Sequence, residues 1–117
     1  MNENRREFFR VGFNRSIDGT VVIAGREALP VDIYDVSVNG LRFFTSIDIP
    51  LLEKVECRFE ILDSGFQLEG SIIRKSKTSD DMEYGVEFTV DQGTSSHLFK
   101  QLNYYQIRQR KGDSIEE

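Results

Sequence analysis

The sequence predicts a mainly β domain: a small antiparallel barrel of six or seven strands, closed by a C-terminal α-helix. Three observations carry that prediction. Short β-rich runs recur at even spacing between residues 17 and 90, each bounded by turn residues. Several of these runs alternate apolar and polar positions, as half-buried strands do. Near residue 95 the period changes, and Leu98, Phe99, Leu102 and Tyr105 fall on one helical face.

Taken in order, residues 1–10 have neither a strand nor a helix period and read as an arm. Ile17 to Ala24 is the first strand, ended by Gly25. Leu29 to Val36 alternates, with Leu29, Val31, Ile33 and Asp35 on one face and Asp32 and Tyr34 on the other. Pro30 suits the start of an edge strand. Asn39-Gly40 is the strongest hairpin signal, because both residues tolerate positive φ. In Leu41 to Thr45, Leu41 and Phe43 share one face and Arg42 and Phe44 the other. Ile47 to Leu52, with Pro50, is a loop. Val55 to Leu62 points Val55, Cys57, Phe59 and Ile61 one way, which makes Cys57 a small core residue rather than a nucleophile. Asp63-Ser64-Gly65 is a turn. Phe66 to Ser76 places Phe66, Leu68, Gly70 and Ile72 on one face, and Tyr84 to Val90 closes the series. The helix is predicted over about 95–111, capped by Ser95 or Ser96, with Arg108, Arg110 and Lys111 in its last turn and Gly112 at its end. His97 in its first turn has a partly exposed structural role. The resulting division is an arm over 1–12, a barrel with its helix over 13–111, and an acidic, disordered tail over 112–117.

At 117 residues one domain is expected. No apolar run approaches the ~20 residues of a membrane span, so no membrane insertion is expected. Cys57 and His97 are the lone Cys and His, so neither a disulfide nor a zinc site is expected, and a reducing cytoplasm is the expected location. No Ser/His/Asp set or phosphate-cradling glycine loop is present, which leaves no catalytic residues to name. The net charge of −5 speaks against binding long nucleic acids, which want a broad basic face. The sign is not uniform. Residues 1–15 hold four arginines against two acids, a local +2 that leaves −7 to the rest. A small anion held by a local basic patch fits this asymmetry.

Two stretches carry the chemistry. The first holds Arg5, Arg6 and Arg10. Arginine presents a planar fork of donors that grips phosphate and the O6/N7 edge of guanine. By itself a short basic run is more often a solvated terminus. The second is Asp35-Val36-Ser37-Val38-Asn39-Gly40. Asp35 can accept two hydrogen bonds side by side, matching the N1–H and N2–H₂ edge of guanine. Ser37 lies two residues on, on the same face, and Gly40 allows both a turn and a close ligand approach. The competing reading is that Asp35 and Ser37 merely cap a hairpin.

Together, Arg6-x-x-x-Arg10 and Asp35-x-Ser37-x-x-Gly40, followed by a small barrel with Gly85-Val86-Glu87-Phe88 in its last strand and a closing helix, resemble the PilZ domain family over nearly the whole chain. These are bacterial receptors for the second messenger cyclic di-GMP. The resemblance implies a stand-alone receptor with no cofactor, whose ligand is gripped by Arg6 and Arg10 and read by Asp35, Ser37 and Gly40. It implies further that the ligand orders the arm and so signals to an unidentified downstream protein. A basic residue at Arg5 is associated in the family with a stacked ligand dimer, with a solvated arginine as the equal alternative. Arg42 and Arg74 are further candidate contacts, although a plain surface role is preferred for both. Phe8 and Phe9 are read as anchors of the arm.

Two other functions compete. A PilZ-fold adaptor that binds no nucleotide would be expected to have broken motifs. A barrel for single-stranded nucleic acid would want exposed aromatics among basic residues, whereas Phe59 and Phe88 alternate as core.

Overall fold

The computed structural model describes residues 10–23, 26 and 28–116, with side chains up to Lys111. It has six strands and one helix: β1 (Arg10–Ile23), β2 (Ala28–Ser37), β3 (Gly40–Thr45), β4 (Lys54–Ile61), β5 (Ser64–Lys77), β6 (Met82–Phe88) and α1 (Gln92–Glu116). The strands form a closed barrel in the order β1-β2-β3-β6-β5-β4, every neighbour antiparallel. The mainly β barrel with a C-terminal helix is as predicted.

The first strand starts seven residues earlier than the sequence pattern indicates, within the segment assigned to the arm. Val11 and Phe13 are buried and extend the core, while Arg10, Val11 and Gly12 pair with Ser37, Val36 and Asp35. The polar run Asn14-Arg15-Ser16 hides this strand, because it lies in a register break between Gly12 and Ile17. That break is where α1 docks. Gln109 Nε2 donates to the Gly12 carbonyl at 3.1 Å, its Oε1 accepts from the Asn14 amide at 2.8 Å, and Phe13 meets Tyr105 edge to face.

Strand alternation decides the core. Val31 and Ile33 of β2, Leu41 and Phe43 of β3, Val55, Cys57, Phe59 and Ile61 of β4, and Phe66, Leu68 and Ile72 of β5 all point inward. Cys57 is fully buried, a core residue as expected, and that burial, with the Glu56 charge adding to it, pushes its thiol up to about 12. Leu98 and Leu102 are fully buried and plug the barrel from α1. Each such side chain stabilises the fold by ~1.5–3 kcal/mol.

Three helix expectations are corrected. The N-cap is Asp91, not Ser95 or Ser96: its Oδ1 accepts the Thr94 amide at 2.7 Å and its carbonyl accepts Ser95 N–H at 3.0 Å. The Thr94 N–H bond holds the Asp91 carboxyl below the usual range. Phe99 is not on the buried face but 47% exposed, because i+1 from Leu98 turns it outward. The backbone also remains helical past Gly112, through the segment expected to be a tail, so Arg108, Arg110 and Lys111 lie before the last turn. His97 is exposed and tilts against Phe66 at 5.2 Å, in keeping with the structural role expected of it.

Candidate ligand site on the outer barrel face

The site is built by three places where the strands slip out of register. Tyr34 is an extra residue in β2: Ile33 pairs with Phe43, but Asp35 pairs with Arg42. This bulge re-aims the strand. Asp35 therefore leaves the face of Leu29, Val31 and Ile33, against expectation, and stands outside beside Arg42, while Val36 takes its place in the core. Ile73 plays the same part in β5: Ile72 pairs with Val86, and Arg74 pairs with Gly85. With the break in β1, the slips align a single outward row, Gly12–Asp35–Arg42–Gly85–Arg74, across five strands.

Asp35 is the hub. It is only 6% exposed, yet it carries two charge-assisted contacts: Oδ1 to Arg10 Nη1 at 2.6 Å and Oδ2 to Arg42 Nε at 3.1 Å. A carboxylate this covered needs such partners, since an unpaired buried charge is costly. The first motif thus meets the second across 25 positions of sequence. Arg42 also lies over the Tyr34 ring, 5.7 Å from its centroid, and Tyr34 stacks on Phe44 at 4.8 Å. The Tyr34 hydroxyl donates to Glu83. Burial, then the Glu83 bond, push that phenol up to about 12.

Gly85 stands between two arginines. Lacking a side chain, it leaves a small depression of about 70 Å³ lined by Arg42 and Arg74 together with Ser76, Glu83 and Tyr84. A Cβ on Gly85 would sit 3.1 Å from the Arg74 Cβ, so glycine keeps this slot open. A larger groove, about 810 Å³, lies elsewhere, lined by residues such as Asp18, Arg58 and Glu60, and contains none of these groups.

Ser37 and Gly40 are placed differently from Asp35. Ser37 is fully buried, and its Oγ accepts the amides of Asn39 at 3.1 Å and Gly40 at 3.2 Å. It ties the β2–β3 turn, the capping role weighed from sequence, and so holds Asp35 in place. Gly40 is needed for closeness rather than for positive φ: a Cβ there would collide with the Val86 carbonyl oxygen of β6. Among described non-glycine residues only Leu52, Leu62 and Asp63 have positive φ, so Asn39 does not use that freedom either. Arg5, Arg6, Phe8 and Phe9 lie outside the described residues. The sequence did not single out Tyr34, Phe44, Glu83 or Gly85 for the site. The aromatic pair left a trace in that Tyr34 and Phe44 alternate with core residues. Among the described residues, no group of three or more His, Cys, Asp or Glu could hold a metal ion, and no helix is long and apolar enough to cross a membrane.

The profile of the PilZ domain matches residues 4–104. The chain belongs to the PilZ domain family. No curated protein matches it in sequence. Among solved structures it is similar to YcgR of Escherichia coli in complex with c-di-GMP, at 15% identity and a TM-score of 0.79, covering 97% of this chain and 51% of that one. The PilZ domain of YcgR with c-di-GMP gives 14% identity and a TM-score of 0.75, covering 97% and 99%. The inhibitor of motility of Bacillus subtilis, MotI/DgrA, gives 15% and 0.73, covering 91% and 53%. The chain thus spans about half the length of the YcgR and MotI chains, and the likeness is one of fold.

Proposed function

We propose that this PilZ domain is a receptor for cyclic di-GMP and performs no chemistry of its own. The observation that carries the reading is the contact of Arg10, the described arginine of the first motif, with the covered Asp35 of the second. Membership of the PilZ family and the c-di-GMP complexes of similar folds support it. In this reading Arg10, with Arg5 and Arg6 from the segment before β1, contacts phosphate oxygens and guanine O6/N7. Asp35, aimed by the Tyr34 bulge and the Ser37-tied turn, accepts from a guanine edge. Arg42 and Arg74 flank the slot over Gly85, where a flat guanidinium can stack on a base. Ligand binding draws residues 4–9 over the site, and that rearrangement is what a downstream protein recognises.

Titration calorimetry with cyclic di-GMP tests this. The wild type is expected to bind, and Arg10→Ala and Asp35→Ala each to weaken binding about tenfold or more, the equivalent of one good bidentate contact. No heat from a folded wild type would refute the proposal. A ligand-to-protein ratio falling from about two to about one in Arg5→Ala would assign that residue to a second, stacked ligand.

A further inference from the structure

The loop between β3 and β4, residues 46–53, hangs from the residues next to the Arg42–Gly85–Arg74 slot. Tyr84, adjacent to Gly85, is fully buried. Its hydroxyl accepts the Ile49 amide and donates to the Ile47 carbonyl, both at 2.8 Å. Lys75, adjacent to Arg74, pairs with Asp48 at 2.6 Å. Ile72, just before the Ile73 bulge, accepts the Leu52 amide at 2.7 Å and donates to the Glu53 carbonyl at 3.0 Å. Two of the three strands that form the slot, β5 and β6, therefore hold the loop directly.

The loop also stores a strained residue. Leu52 has φ 71°, a left-handed backbone disfavoured for a branched L side chain. Its side chain is 74% exposed, so its own burial does not hold it there; the turn closed by Glu53 N–H on the Pro50 carbonyl at 3.3 Å does, together with the bond from its own amide to the Ile72 carbonyl. Ile47 and Leu51 of the loop and Ile73 of the β5 bulge are exposed as well. The Ile72 bonds to Leu52 and Glu53 thus tie this turn to the residue that precedes the β5 bulge.

We infer that this loop reports ligand occupancy of the slot: engagement of Arg74 by a ligand seated over Gly85 moves β5 and β6, and residues 46–53 rearrange in response. The inference rests on the cyclic di-GMP reading and specifies its regulation. It is tested on the full chain by residue-resolved amide exchange with and without cyclic di-GMP, with binding confirmed calorimetrically in the same samples. The amides of Ile49 and Leu52 are expected to change by about tenfold or more beyond any change at residues 58–61, which report global stabilisation. Confirmed binding with loop amides that merely track residues 58–61 overturns the inference and leaves the receptor reading intact; no binding overturns both. Tyr84→Phe removes one suspension point and is expected to abolish the response at Ile49 while Leu52, held by β5, still responds. Should that variant fail to fold, Asp48→Asn serves instead. It should bind with affinity within about twofold of wild type and show a reduced loop response, because the exposed Asp48 lies outside the slot. An unreduced response in Asp48→Asn overturns the part assigned to the Lys75 link.

Discussion

The two tight hairpins of the barrel have two-residue turns of equal length, made by opposite means. Between β4 and β5, Ile61 pairs with Ser64, and the intervening Leu62 and Asp63 both adopt positive φ, at 51° and 74°. No side-chain hydrogen bond ties this turn among the described residues, although Leu62 packs against the core, and Gly65 beyond it has open space around it. Between β2 and β3, Ser37 pairs with Gly40, and neither Val38 nor Asn39 is left-handed. Here a buried hydroxyl gathers two amides, the Asn39 carbonyl accepts Phe88 N–H at 2.8 Å, and Gly40 is pressed against β6. One turn only reverses the chain. The other is clamped to its neighbours, and the clamped one carries Asp35.

This contrast can be broken by four substitutions. Gly40→Ala should have the largest effect, above about 3 kcal/mol in urea unfolding or outright failure to fold, because the obstacle is a backbone carbonyl that cannot rotate away. A folded variant with a wild-type midpoint would mean that β3 does not press on β6 in this way. Ser37→Ala leaves buried amides without their acceptor and should cost ~1–3 kcal/mol, with loss of cyclic di-GMP affinity as Asp35 loosens. An unchanged melting curve would show that the hydroxyl does not tie the turn. Asp63→Gly works in the other direction, relieving a left-handed residue for a gain of ~0.5–1 kcal/mol, read as a raised denaturant midpoint. Gly65→Ala should be smallest, within ~0.5 kcal/mol, since its Cβ meets nothing. A large loss there would remove the distinction between the two turns.

The same contrast explains what could be read from the chain. The barrel, its helix and most inward-facing residues were legible, because alternation in β3, β4 and β5 is a two-residue signal that survives in sequence. The residues Arg10, Asp35, Ser37 and Gly40 were legible as a pattern, but their division of labour was not. Strict alternation put Asp35 with Ile33; one extra residue, Tyr34, turned it out. Nothing in a run such as Ile33-Tyr34-Asp35 marks a bulge, because the bulge is defined by the partner strand. For the same reason Arg42 and Arg74 read as ordinary surface residues: their relation exists only through Gly85, which pairs with both. The turn at 63–65 was misplaced by one step, since Leu62 is a poor sequence signal for a left-handed residue.

The ring closes through a short seam: β1 meets β4 at four register pairs, Thr20 to Ile23 against Arg58 to Val55. The β2–β3 and β4–β5 ladders join near neighbours in sequence and can form early, but the seam joins residues more than 30 positions apart. Its chain-closure entropy, like that of the β3–β6 ladder that joins Gly40–Thr45 to Glu87–Met82, must be met before its contacts reward it, so assembly should be limited by these two long-range joins. A change that opened the seam while sparing the hairpins would expose two unpaired strand edges, the usual template for association between chains. Those four pairs thus bear on the order of folding and on solubility.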